Sequence, residues 1–313
     1  MTAVTTVVPA RTGVVGHPSD AFGGAVLALP VPALAATVTV APASGITVGD
    51  RHFADVESVV TTAHAGESML LTAAVDRLVS WLRDQGRTAP RDGFTMTWST
   101  TIPRAAGLAG SSALVISALR SLAGTWKVAL TDDVGPRLAL EVEVDVLGIA
   151  AGPQDRVVQW CNAPVLMDFQ SPVWSVREVH PPAPIELLVV WTDASLRPSD
   201  ATHAPLQDRR DDPEVRAHMA ALGALARDAA DAVEMGDLDR LARCIDEGFE
   251  HRRSLLTLDP AHVEMVDALR DRGAAVTYTG SGGAVLALAD DLEPLRTWAR
   301  EQQHLDYVRA VWA

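Results

Sequence analysis

Six consecutive residues, Gly107-Leu108-Ala109-Gly110-Ser111-Ser112, carry the clearest chemistry in this 313-residue chain. Glycines let a backbone approach a ligand closely and adopt positive φ. Serines at a helix start cap orphan N–H groups or turn their hydroxyls on a ligand. A Gly/Ser loop between a strand and a helix N-terminus suits phosphate, because free N–H groups and the helix dipole both favour an anion. The run is not a Walker A loop, since no Gly-Lys-Ser/Thr follows the glycines. The single lysine, Lys127, lies well beyond the loop, so a cation at the phosphates has to be arginine. Three other stretches hold polar groups of interest. His17 and Asp20 lie on the turn Gly16-His17-Pro18-Ser19-Asp20, where they face a ligand or merely close the turn. Asp155 follows Gly152-Pro153 near a helix start, where a carboxylate stays ionised and acts as a cap or as a base. Asp193–Arg210 gathers Ser195, Arg197, Ser199, His203 and Arg209, as a solvated loop or as a lid whose arginines face a carboxylate or phosphate.

The elements that must hold these residues are legible from periodicity. Phe94, Met96, Trp98, Thr100 and Ile102 alternate with hydroxyl residues, which predicts a strand running into the Gly/Ser loop. Ala113–Leu122 is apolar nearly all round, which predicts a buried helix leaving it. Upstream, a strand, the 16–20 turn and a second strand fill Val4–Leu29. Val38–Val48 and Arg51–Val59 read as antiparallel strands, and Gly66–Gln85 as a helix. Leu138–Val146 reads as the end of a helix carrying Glu141, Glu143 and Asp145. After the strand Val165–Phe169, the prolines of Val176–Pro184 suggest a domain crossover. Beyond it lie a strand (Ile185–Trp191), helices (Pro213–Glu234, Leu238–Leu256, Ala261–Arg272), strands Ala275–Thr279 and Ala284–Ala289 about Gly280-Ser281-Gly282-Gly283, a helix (Leu292–Glu301) and a strand (Leu305–Val311). That order predicts a ferredoxin-like α+β domain.

With 48% hydrophobic and 21% charged residues the chain has the makings of a substantial core. Its formal net charge of −14 argues against nonspecific nucleic-acid binding and against an anionic membrane surface, though not against a local basic pocket. Two cysteines, Cys161 and Cys244, make no disulfide framework, and reduced thiols in a cytoplasmic protein are expected. The first residues lack the basic and apolar regions of a signal peptide, and no apolar run suffices for a bilayer span. The histidines are scattered without a zinc pattern.

Three separated motifs together resemble the GHMP kinase superfamily: Ala10–Asp20; Pro103-Arg104-Ala105-Ala106-Gly107-Leu108-Ala109-Gly110-Ser111-Ser112-Ala113, which matches the family's Pro-x-x-x-Gly-Leu-Gly-Ser-Ser-Ala loop with one residue inserted; and Thr279-Gly280-Ser281-Gly282-Gly283-Ala284. Within it the chain is most similar to glucuronokinase-type sugar kinases, through Pro18-Ser19-Asp20, Gly107–Ser112, Ala151–Val157, Met167-Asp168-Phe169 and Thr279–Ala284. It departs from them at Asn162-Ala163-Pro164, where the family has a Gly-Gly turn.

The resemblance implies a two-domain α+β GHMP kinase fold: an N-terminal mixed α/β nucleotide-binding domain over residues 1–180 and a C-terminal ferredoxin-like domain over 181–313. It implies ATP and Mg²⁺, with Gly107, Leu108, Ala109, Gly110, Ser111 and Ser112 around the triphosphate. Ser112 and Glu143, with Glu141 as the alternative carboxylate, would serve the metal. Asp155 would take the acceptor proton and Arg11 would face the charge on the transferred group. His17 and Asp20 would bind sugar hydroxyls, Arg104 or Arg209 an acceptor carboxylate, and Gly280–Gly283 would pack against the nucleotide loop. The expected partner is a small sugar or sugar acid, with neither nucleic acid nor membrane, and the expected state is a monomer or homodimer. The reaction implied is phosphorylation of an anomeric hydroxyl. The alternatives are another alcohol acceptor (a neutral sugar, an amino acid, a mevalonate-like acid or a specialised metabolite) and a non-catalytic sugar- or nucleotide-binding member.

Overall fold

The computed structural model describes residues 2–170, 173–192, 206 and 208–313. The lid candidates Ser195, Arg197, Ser199 and His203 lie outside them. The chain forms two compact units that interleave along the sequence. One takes the residues up to Ala10 together with Leu34–Ile102 and Gly110–Cys161; the other takes Arg11–Ala33, Pro103–Ala109 and Asn162–Ala313. Two long strands, β1 (Val4–Val15) and β2 (Ala25–Pro42), pass from one set of residues to the other, where the sequence reading places a single boundary at 180/181.

In the first unit, β3 (Ile46–Val48) and β4 (Arg51–Phe53) form an antiparallel hairpin. β3 runs parallel to β5 (Phe94–Thr100), which pairs antiparallel with Ala36–Pro42 of β2. The predicted second strand ends early. Asp55 caps a short helix, α1 (Val56–Thr61), accepting from the backbone N–H and the hydroxyl of Ser58 at 2.8 and 2.7 Å. A local side-chain cap has overridden the β-branched residues there.

The amphipathic α2 (Met69–Asp84) packs on α3 (Gly110–Trp126), which also meets α4 (Gly135–Glu141) and α5 (Gln154–Cys161). α3 is apolar nearly all round, and its hydroxyls are spent on the sheet. Ser117, Ser121 and Thr125, one turn apart, donate to the carbonyls of Ala36, Val38 and Val40 on β2, at 3.3, 2.9 and 3.5 Å. A helical period of four meets a strand period of two, which fixes α3 and hence its first turn.

The predicted helix end at 138–146 is different in kind. α4 stops at Glu141, and Val142–Val146 is a single π-helical turn carrying Glu143. π turns recur at functional sites, and no periodicity in the sequence announces one.

In the second unit, Ala25–Ala28 of β2 pair with β6 (Val165–Asp168), which pairs with β7 (Ser175–Glu178). A four-stranded antiparallel sheet runs β11-β8-β10-β9, from β8 (Ile185–Thr192), β9 (Ala275–Tyr278), β10 (Ala284–Leu288) and β11 (Leu305–Trp312). That order, with helices between the first and second and between the third and fourth strands, is the ferredoxin-like arrangement expected from the sequence. The helices are α6 (Pro213–Met235), α7 (Leu238–Leu255), α8 (Pro260–Arg270) and α9 (Glu293–Glu301). Asp212, Asp237 and Asp259 cap the starts of α6, α7 and α8. Leu188, Val190, Phe249, Val266, Leu269, Val276, Val285 and Leu295 form the core between sheet and helices.

Candidate functional site

The residues singled out from sequence divide between the two units. In the first, α3 begins at Gly110, and Ser111 is exposed while Ser112 is fully buried. The first N–H groups of a helix have no partner within it, so Gly110–Ser112 offers anion donors. Ser112 Oγ donates to Gln159 Oε1 at 2.6 Å, and Gln159 Nε2 donates to the Pro9 carbonyl at 2.9 Å. Asp155 lies in the first turn of α5 with 17% of its side chain exposed, and Arg156 Nη1 lies 3.5 Å from its Oδ2. Arg156 also donates to the Gly152 carbonyl at 2.9 Å and forms a buried ion pair with Glu143 Oε2. Arg156 and Gln159 are three apart on α5 and so share a face, which gathers Ser112 and Glu143 to one helix beside Asp155. Glu141, the alternative carboxylate, is instead half-buried and paired with Arg77 at 2.7 Å.

In the second unit three consecutive carbonyls hold three basic side chains. Tyr278 O accepts from His17 Nε2 at 2.6 Å, Thr279 O from Arg11 Nη1 at 2.8 Å, and Gly280 O from Arg252 Nη2 at 2.6 Å. Since a carbonyl only accepts, Nε2 of His17 carries the hydrogen. Arg11 Nη1 also donates to the Gly107 carbonyl at 2.7 Å, and Thr279 Oγ1 donates there at 3.0 Å. The 105–107 and 280–283 loops meet backbone to backbone. A Cβ on Gly280 would stand 2.5 Å from Gly107 O, and one on Gly107, where φ is +73°, would stand 2.5 Å from Gly282 O. The expected packing of Gly280–Gly283 on the Gly/Ser loop is therefore direct. Ala109 takes a left-handed φ of 61° where a glycine would be unstrained. Leu108 and Asp20 are buried, and Asp20 lies on the short 3₁₀ turn Ser19–Phe22.

The two arginines named for an acceptor carboxylate both lie on the surface. Arg104 is exposed on the 103–109 loop, and Arg209 is exposed and ion-paired with Asp212 and Glu214 at 2.7 and 3.4 Å. Sequence reasoning passed over Arg156, Gln159 and Arg252. Arg156 and Gln159 lie within or next to the Ala151–Val157 motif, so their places on α5 were within reach. Arg252 had no motif. It is 2% exposed, with its guanidinium 5.4 Å from the ring centre of Tyr278. Burial pulls its pKa down to about 10, the Arg11 charge adding to the fall and the Asp20 charge opposing it. It remains a cation at neutral pH. Burial also pushes the Tyr278 hydroxyl well above its ordinary range.

Residues 70–162 match the family model described as the GHMP kinases N terminal domain. Over 310 residues the chain is 28% identical to probable glucuronokinase 2 of Arabidopsis thaliana, covering 90% of this chain and 83% of that one. Over 307 residues it is 29% identical to glucuronokinase 1 of the same plant, covering 90% and 84%. The crystal structure of Lactococcus lactis galactokinase complexed with galactose superposes with a TM-score of 0.82 at 13% identity, over 98% of this chain and 93% of that one. No described helix is long and apolar enough to cross a membrane. Residues 70–162 thus match a GHMP kinase domain, the chain is similar along most of its length to two glucuronokinases, and its fold is shared with a galactokinase, in agreement with the three loop motifs.

Proposed function

We propose that this protein is an ATP- and magnesium-dependent sugar kinase that phosphorylates the anomeric hydroxyl of a uronic acid. The observation that carries the reading is the convergence on α5: Asp155 in its first turn, Glu143 held through Arg156, and Ser112 held through Gln159. That convergence sits in a chain similar along most of its length to two glucuronokinases.

The acceptor oxygen forms a bond to the γ-phosphorus, the bond from that phosphorus to the ADP oxygen breaks, and the hydroxyl proton passes to the Asp155 carboxylate. Such a transfer depends mainly on positioning and on charge neutralisation. Arg156, 3.5 Å away, holds Asp155 in place. Arg11, always charged, faces the charge on the transferred group. The 107–112 backbone cradles the phosphates, and His17 and Asp20 take acceptor hydroxyls. Magnesium prefers a few hard oxygen ligands and leaves the rest of its sphere to water and phosphate. Ser112 Oγ and the Glu143 carboxylate fit that donor set and would hold it. When bound, the ion offsets the negative charge of the phosphates. A small acceptor, a monomeric or homodimeric state and a cytoplasmic setting complete the reading.

The test is ADP release with ATP and Mg²⁺ over a panel of uronic acids, neutral sugars, mevalonate and homoserine, with phosphorus NMR of the product. A sugar 1-phosphate from a uronic acid is expected. Turnover confined to a neutral sugar, mevalonate or homoserine would overturn the acceptor assignment.

A further inference from the structure

We propose that Arg252, on α7, is the residue that selects an anionic acceptor, by supplying the positive charge that an acceptor carboxylate neutralises. The inference rests on the uronic-acid reading above and deepens it.

Three observations carry it. First, the guanidinium is 98% buried yet poorly satisfied. Nη2 donates to the Gly280 carbonyl, whereas Nε and Nη1 are buried without a hydrogen-bond partner among the described residues. Second, among the described residues no carboxylate forms an ion pair with it, and its guanidinium lies over the face of Tyr278. A buried charge is costly unless it is paired, so with Asp20 acting on it only at a distance this cation is incompletely compensated. Third, its neighbourhood belongs to the acceptor. The charge of Asp20 reaches it, and His17 is bound two carbonyls away on the same 278–280 row.

The phosphate is a poorer candidate for the missing anion. Arg11 is the guanidinium bonded to the Gly107 loop, and Arg252 makes no bond to that loop. Asp20 sharpens the argument from the other side. A buried carboxylate among the acceptor groups repels a uronate, so a pocket that accepts one needs a cation nearby to offset it. In low dielectric a single buried charge acts over several ångströms, and direct contact with the ligand is not required.

The experiment compares kcat/KM for glucuronate and for galactose in the wild type, Arg252→Lys and Arg252→Met, with KM for ATP measured alongside. Glucuronate preference should fall about 10- to 100-fold in Arg252→Met, the scale of a unit charge acting over several ångströms in a protein interior, and less in Arg252→Lys, with KM for ATP unchanged. A preference retained by Arg252→Met, or a rise confined to KM for ATP, would overturn the assignment while leaving the uronic-acid reading intact. A wild type that prefers galactose would sink that reading itself. Should Arg252→Met fail to fold, thermal shift of the wild type decides. Glucuronate should raise Tm where its uncharged amide does not, and equal shifts would count against the proposal.

Discussion

The two groups of candidate site residues handle charge in different ways. In the first unit charge is settled between side chains: Arg156 sits between Glu143 and Asp155, and the neutral pair Ser112 and Gln159 completes the set. In the second unit His17, Arg11 and Arg252 rest on the backbone carbonyls of 278, 279 and 280. Carbonyl dipoles orient a cation but do not cancel it. The first arrangement suits proton transfer and metal binding, where carboxylates must be held in fixed places. The second leaves the Arg252 guanidinium without an ion-paired carboxylate among the described residues, charge that a ligand can offset.

The comparison breaks most sharply at Asp155. Asp155→Asn keeps shape and hydrogen bonding but removes the proton acceptor. It should lower kcat by about 10²- to 10⁴-fold with KM for the acceptor little changed, measured by coupled ADP release. A variant of wild-type rate would mean that the carboxylate only caps α5.

Breaking the Glu143–Arg156 pair tests whether charge in the first unit is balanced internally. Glu143→Ala leaves Arg156 buried and should destabilise by roughly 3–5 kcal/mol in urea unfolding. Adding Arg156→Met should recover much of that loss while activity stays low. If the double variant is as unstable as the single one, the ion pair is not what balances the site.

Gly280→Ala probes the second unit. Its Cβ would press on the Gly107 carbonyl at 2.5 Å and on Arg11 Nη2 at 2.9 Å. The overlap involves backbone on one side, so relief is costly, and about 1–3 kcal/mol of destabilisation is expected. Full stability would show that the two loops are looser than their contact implies.

Ser112→Ala is a milder probe. It removes the hydroxyl that donates to the buried Gln159 Oε1, at a cost of about 1–2 kcal/mol, and it should raise the magnesium concentration needed for half-maximal rate. An unchanged magnesium requirement would remove Ser112 from the metal's ligands.

What the sequence made legible follows from how local each signal is. The strand, loop and helix at 94–126 were plain, because alternation at Phe94–Thr100 changes to an all-apolar run in adjacent residues. The C-terminal ferredoxin-like order was equally plain, since its helices carry Asp caps and amphipathic faces. β2 was not: Pro30 and Pro32 lie between its two paired stretches, 25–28 and 36–42, and broke the reading of one 18-residue strand. The π turn at 142–146 left no periodic trace. Asp155, Glu143, Ser112 and Arg11 were reachable through motifs. Arg252 was not, because its significance arises only when α7 is brought against the Gly280 carbonyl, 28 residues further along the chain.

The smallest effect gives a label for each unit. Cys161 ends α5 exposed, whereas Cys244 is buried on α7 and donates to Asp228 Oδ2 at 3.2 Å. Burial and that carboxylate push the Cys244 thiol up to about 12. A thiol whose folded pKa is raised stabilises the fold fully below the unfolded value near 9, and that contribution is lost as the pH rises toward 12. At pH 8 a disulfide reagent should therefore titrate Cys161 quickly and Cys244 only when the second unit opens. Substrate that tightens the second unit should slow the second thiol and leave the first unchanged. Two fast thiols in the native protein would show that α7, and Arg252 with it, is less sealed than its burial indicates.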